Sequence, residues 1–408
     1  MTDATDDSEL TAGDGLALMG DLFDLAAPQQ RYLDLMAAGG FVQPMEGFAL
    51  SFLRENTEYL LRHHEQFSSR VEMSLGNVRP LIPLNVDPPM HSKFRKLLDP
   101  LFAPKRMDEQ EADITRRVNG FIDSFIGRGE CNFTEEFAEL FPSSVFLGLM
   151  GLPEDQLDMF LHLRDGIMHP QNWDENALLD PAARQNVMNT AGREIYEYFG
   201  GLLDERTHNP AADIITRFLA VEIDGERLSR DDILDICFLF LIAGLDTVSD
   251  TLTCSYAFLA THPEHRRRIV DDPRVIPAAV EELLRWESPV PSGSPRMSTC
   301  PVDLPSGVHV DEGTVVIPSF GAANMDPSVY GDPMVVRFDR ESNPHIAFGG
   351  GVHRCLGSHL ARRELRITLR EWHRRIPEYR LKPGAELEYT AGIRSVASFP
   401  MLLGAPAS

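Results

Sequence analysis

The segment from Arg230 to Thr261 limits the possible folds most. At its centre the chain reads Ile236-Cys237-Phe238-Leu239-Phe240-Leu241-Ile242-Ala243-Gly244-Leu245, apolar on every face a helix could present. A helix of that kind belongs in the middle of a large core. The run is ten residues long, against the roughly 20 that a membrane span needs. Asp246 and Thr247 follow at once. A buried acid is expensive and shifts its pKa or finds a partner, and a threonine inside a helix can bond back to the helix and bend it.

Other helical patterns flank this one: Phe52 to His64, His91 to Phe102, Asp108 to Phe125, Glu135 to Met150, Pro181 to Arg206 and Pro263 to Val270. Strand patterns are short and late, at Val308 to Ile317 and Ser395 to Leu403. No repeat or linker divides the chain. The expected fold is mainly α with a minor β part, a single domain over 16–408 behind an acidic tail at 1–15.

Charge narrows the function classes. The 38 Lys and Arg are outnumbered by 62 Asp and Glu, a net charge of −24. That excess disfavours nucleic acid and anionic membranes as partners. Five cysteines without C-x-x-C spacing fit a reducing compartment, and no Lys or Arg precedes Arg31, unlike a secretory or transit leader. A soluble cytoplasmic protein is expected.

One cysteine has unusual neighbours. Phe348-Gly349-Gly350-Gly351-Val352-His353-Arg354-Cys355-Leu356-Gly357 opens a helical stretch from Ser358 to Trp372. Free N–H groups at a helix start and adjacent cations stabilise a thiolate, and the glycines let the backbone approach a flat cofactor closely. A phosphate loop would need a G-K-[ST] that is missing. A zinc site built on His353, Cys355 and His359 lacks a fourth ligand. An inert buried cysteine would not need three glycines and two basic neighbours.

This decapeptide resembles the haem-binding loop F-G-x-G-x-H-x-C-x-G of the cytochrome P450 family. Other landmarks follow the same order: Ala243-Gly244-Leu245-Asp246-Thr247 is similar to A-G-x-D-T, Glu282-Leu283-Leu284-Arg285 to E-x-x-R, and Asp87-Pro88-Pro89-Met90-His91 through Arg95 to the bacterial D-P-P-x-H-x-x-x-R. The likeness, strongest to camphor-type hydroxylases, runs from about Phe67 onward. It implies a P450-type fold with a long central helix over haem b (iron protoporphyrin IX). The implied activity is a monooxygenase placing one oxygen atom of dioxygen into a small hydrophobic substrate, terpenoid-like or similar. Electrons would come from NAD(P)H through a reductase and a ferredoxin.

The resemblance also implies residue roles. Cys355 would be the metal ligand, its thiolate pushing electron density onto iron, with Phe348, Gly349, Leu356 and Gly357 around it. His91, Arg95, Arg296 and His353 would hold the haem propionates. Ala243 and Gly244 would lie against the haem, and Asp246 and Thr247 would be the catalytic acid–alcohol pair that relays protons. Glu282, Arg285 and Arg337 would form a buried structural network. Leu239, Ile242, Ala243, Val290 and Ile393 would line the substrate pocket, beneath Phe67 to Pro83 and Leu161 to Glu197. Lys93, Lys96, Lys105, Arg106, Arg354, Arg362, Arg363 and Arg366 would present a basic face to ferredoxin on the Cys355 side. Arg79 and Arg394 stand where the camphor-type enzymes differ; a guanidinium facing the pocket would admit a carboxylate or carbonyl substrate.

Overall fold

The apolar central segment forms two helices, Arg230–Gly244 and Thr247–Thr261, instead of the single expected one. The computed structural model that shows this describes residues 26–71, 75–211, 213–223, 225–390 and 392–404; the expected acidic tail at 1–15 lies outside the described residues. The first central helix starts on a capping box, in which Ser229 and Asp232 satisfy each other's free N–H groups. At the break, hydroxyls take the carbonyls that the helix would otherwise use. Thr247 Oγ1 donates to the Ala243 carbonyl at 3.1 Å, and Ser249 Oγ and Ser143 Oγ donate to that of Leu245.

The break falls where two apolar cores meet. Ile233 to Leu245 pack with Phe146, Phe160, Ile195 and Phe199. Val248 to Leu259 pack with Phe133, Phe137, Trp372 and Tyr379, the rings of Phe133 and Tyr256 stacking at 4.5 Å. Each fully buried large apolar side chain stabilises the fold by about 1.5–3 kcal/mol, so both halves of the central segment are anchored throughout.

The expected helices are present with shifted ends. The second becomes Met90–Leu98 followed by a 3-10 turn, Asp99–Phe102. The third is Glu111–Phe125, with a separate short helix, Pro104–Asp108, ahead of it, and the fourth begins as a π turn, Thr134–Ala138, before Leu140–Met150. Pro181–His208 closely matches expectation, with Asp180 capping its start.

The β part comprises a five-stranded sheet, a three-stranded sheet and two short hairpins. In the larger sheet the order is Phe41–Met45, Phe48–Ser51, Val315–Pro318, Arg296–Ser298 and Phe67–Ser68. The expected strand from Val308 to Ile317 is divided by the turn at Asp311 to Gly313: His309–Val310 pairs with Val302–Asp303, while Val315–Pro318 joins the larger sheet. The second expected strand is limited to Pro400–Leu403. Among the described residues no helix is long and apolar enough to cross a membrane.

The Glu282–Arg285 pair is completely buried, with both side chains at 0% exposure. Its third member is Arg340, which corrects the expectation of Arg337. Glu282 accepts from Arg285 Nη2 at 2.8 Å, from Arg340 Nε at 2.9 Å and from Asn343 Nδ2 at 3.0 Å. Arg337 contributes only its backbone N–H, at 2.9 Å, and its side chain is exposed. Val336 and Phe338 on either side are buried, and the Arg337 side chain between them faces water. Met325 is fully buried beside the network, its sulfur 3.5 Å from Arg285 Nη1.

Candidate active site

Segments that are distant in sequence enclose a cavity of about 390 Å³. One wall is the cysteine loop. Its turn is closed by the Cys355 N–H donating to the Phe348 carbonyl at 2.9 Å and the Gly349 N–H donating to that of Ile346 at 2.8 Å. Phe348, Gly349, His353, Cys355, Leu356 and Gly357 all reach the cavity. Cys355 sits deep in the fold, and its side chain is open only because the cavity extends to it. Burial pushes its thiol above the ordinary value; the Gly357 N–H and the charges of Arg95, Arg354 and Arg362 pull the other way. The Arg362 guanidinium lies 4.5 Å over the Phe348 ring, fixing that ring beside the loop.

The opposite wall is the broken central helix, with Leu239, Ala243, Gly244 and Thr247 on the cavity side. Leu239 and Ala243 are four apart and share a face. Ile242 is turned away into the helical core, which corrects its expected place in the pocket. At Gly244 an added Cβ would meet the Phe146 ring at 2.5 Å, so the absent side chain is what admits that ring to the wall.

The acid–alcohol pair is divided. Thr247 lines the cavity, whereas Asp246 is buried behind it at 3% exposure and outside the lining. Asp246 Oδ1 lies 2.8 Å from Arg164 Nη1, and Oδ2 lies 3.4 Å from His169 Nε2.

At one end of the cavity His91, Arg95, Arg296 and His353 converge. The His91 and His353 rings are 4.1 Å apart. Arg95 donates to Asp99 at 2.7 Å and to the Arg354 carbonyl at 2.8 Å. Arg296 is buried and its recorded hydrogen bonds go only to the carbonyls of Ser294 and Pro295; among the described residues no carboxylate pairs with it. Burial, opposed only weakly by the charge of Asp87, holds it down at about 10. Burial and the nearby guanidinium charges likewise hold His91 at about 4 and His353 at about 2. The buried Nε2 of His91 has no hydrogen-bond partner. A buried guanidinium without a carboxylate partner, as Arg296 is among the described residues, is costly. The two propionates of a haem fit it: they would relieve the repulsion and take up the orphan donor.

The pocket walls include residues that the sequence analysis missed. Phe102, Phe146, Phe240, Thr251 and Phe320 line the cavity, as does Glu364. Burial pushes the Glu364 carboxyl well above its ordinary range. Its one sequence signal is an acid on the apolar face of an amphipathic helix, one turn from Leu360. Val290 lines the cavity. Ile393 does not, a second correction: its neighbour Arg394 turns inward to pair with buried Glu287, and the backbone is tied to the Pro289 carbonyl at 2.7 Å. Neither guanidinium in question faces the pocket, since Arg79 pairs with Asp235 at 2.9 Å. Of the two segments expected to cover the cavity, Pro83 alone reaches it among the described residues.

Comparison with known proteins agrees with this geometry. The sequence model of the family described as "Cytochrome P450" matches residues 58–375. A probable cytochrome P450 127A1 of Sinorhizobium fredii is 35% identical over 81% of this chain and 75% of its own length. The steroid C26-monooxygenase of Mycolicibacterium smegmatis is 33% identical over 79% of each chain. Among solved structures, CYP109E1 of Bacillus megaterium in complex with testosterone superimposes with a TM-score of 0.84 at 26% identity, over 93% of this chain and 98% of that one. With its cysteine loop, its broken central helix and its buried cationic cluster in place, the chain belongs to the cytochrome P450 family, oxidoreductases that bind haem b.

Proposed function

We propose that this P450 places one oxygen atom of dioxygen into a small hydrophobic molecule of terpenoid-like size, as a cytoplasmic monooxygenase supplied by NAD(P)H through a reductase and a ferredoxin. The observation that carries this reading is the apolar cavity between the Cys355 loop and the central helix. Phe102, Phe146, Leu239, Phe240 and Val290 offer it no charge, so an apolar substrate is favoured and a carboxylate is not. The haem, when bound, supplies dioxygen activation. Cys355 would hold it as a thiolate, steadied by the Gly357 N–H. His91, Arg95, Arg296 and His353 would hold the propionates. Thr247 presents its hydroxyl to the cavity, and Asp246 supplies that hydroxyl with protons from behind.

The face for a redox partner is narrower than the sequence suggests. Arg362 and Arg366 pair with Glu281, and Arg363 with Asp108 and Glu111. Lys96, Lys105 and Arg354 are exposed, with no ion pair among the described residues, and they would steer an acidic ferredoxin.

Two readouts test the proposal. The reduced protein with carbon monoxide should show the strongly red-shifted Soret band of thiolate ligation, lost in Cys355→Ala; a band indifferent to that change would reject Cys355 as ligand. Ferric spin state should shift with monoterpenoid-sized hydrocarbons and ketones. Two relatives carry a steroid in their names or complexes. A shift with testosterone and none with the smaller molecules would replace the small-substrate reading by a steroid one.

A further inference from the structure

Asp246 lies behind the cavity wall, so each proton it passes towards Thr247 must be replaced from the protein side. Monooxygenation consumes two protons with two electrons for each dioxygen, which yields the hydroxylated product and water. The neighbours of Asp246 differ sharply in what they can deliver. Arg164 holds Oδ1 at 2.8 Å, but a guanidinium does not release its proton. Asp250, one turn along, is buried, and burial and the Asp246 charge push its carboxyl well above the ordinary range; enclosed there, it has little access to solvent for reloading. His169 lies 3.4 Å from Oδ2, and its side chain is 37% exposed. Among the described residues it alone both touches the Asp246 carboxylate and reaches solvent as a group that exchanges protons near neutral pH.

We propose that His169 is the proton-entry residue for this site. Its imidazolium gives the Nε2 proton to the Asp246 carboxylate, and the neutral ring is reprotonated from solvent. The inference rests on the relay reading of Asp246 and Thr247. The local charges support it. Burial opposes charging the ring, but the adjacent Asp246 outweighs that and lifts the imidazole above its ordinary value. Arg164 works against the rise and Asp165 with it, and Glu139 and Asp250 also face the ring. The position is well defined: His169 ends the helix Leu157–Met168, its N–H donating to the Asp165 carbonyl at 2.8 Å. As a positioning residue it touches neither haem nor substrate.

Histidine-labelled enzyme in the reduced carbon-monoxide form allows a direct NMR titration. The His169 resonance, identified by its loss in His169→Gln, should titrate above the usual histidine midpoint of about 6.5 and fall back in Asp246→Asn. A midpoint that ignores Asp246→Asn overturns the pairing. In turnover, a raised midpoint means that delivery is intact below it and declines as pH rises through it. His169→Arg keeps the charge but cannot release a proton. It should lower kcat by about 100-fold or more, erase the alkaline limb and leave KM unchanged. Wild-type kcat and pH profile in His169→Arg would overturn the proposal. Wild-type kcat in Asp246→Asn would instead overturn the relay reading beneath it. An unchanged carbon-monoxide spectrum shows that each variant is folded.

Discussion

Replacing Glu282 with Ala should cost about 3–5 kcal/mol or more, since breaking a buried ion pair leaves an uncompensated charge. Here two guanidiniums lose their carboxylate together: Arg285, at 0% exposure, and Arg340, whose side chain is 5% exposed. Asn343 loses an acceptor as well. Set against a total stability of about 5–15 kcal/mol, the change should leave little haem-loaded protein at growth temperature, and a urea titration should show any remainder unfolding at a much lower midpoint. The internal control is Arg337→Ala. That side chain is exposed and only the backbone N–H bonds to Glu282, so the effect should stay within about 0.5 kcal/mol. Equal damage from Arg337→Ala and Arg340→Ala would refute the assignment of the network to Arg340.

Gly351→Ala should disable the cysteine loop. Gly351 has φ +62°, and an added Cβ would lie 1.9 Å from the Leu61 carbonyl oxygen. The left-handed conformation alone costs a residue with a Cβ about 1–2 kcal/mol, and the overlap is with backbone, which cannot turn aside as a side chain could. The loop must shift, and Cys355 with it. The expected result is loss of the red-shifted carbon-monoxide band even though Cys355 is intact. Gly129→Ala separates the two causes, because Gly129 has φ +72° with nothing within 4 Å of the added atom. It should lower stability by about 1–2 kcal/mol and keep the spectrum. A normal band in Gly351→Ala would show that the loop tolerates displacement.

The division between sequence and tertiary structure follows from how far apart the interacting atoms are along the chain. The cysteine loop was legible because its constraints are local: a tight turn, glycines and a thiol all fall within ten residues. Helices at Leu140–Met150 and Pro181–His208 were legible within a few residues of their ends from apolar spacing and caps. The buried position of the central segment followed from its composition alone. Its break did not, because Ser143, which helps to satisfy the freed Leu245 carbonyl, comes from another helix.

Where a choice depended on which side chain turns inward, only the folded chain decided it. Arg340 and not Arg337 meets Glu282 because Val336 and Phe338 claim the interior on both sides of Arg337. Ile242 leaves the pocket because Leu239 and Ala243 own the cavity face of the same helix. The aromatic wall of Phe102, Phe146 and Phe240 is assembled from three separate helical segments, and nothing local distinguishes these phenylalanines from others in the core. His169 meets Asp246 across 77 positions of sequence, a proximity that burial and charge balance create and that no local pattern encodes. The sequence by itself determined the cofactor loop and the helical class, because backbone geometry and apolar periodicity are written residue by residue. Tertiary structure alone decided the pocket lining and the partners of each buried charge, because those depend on packing between distant segments.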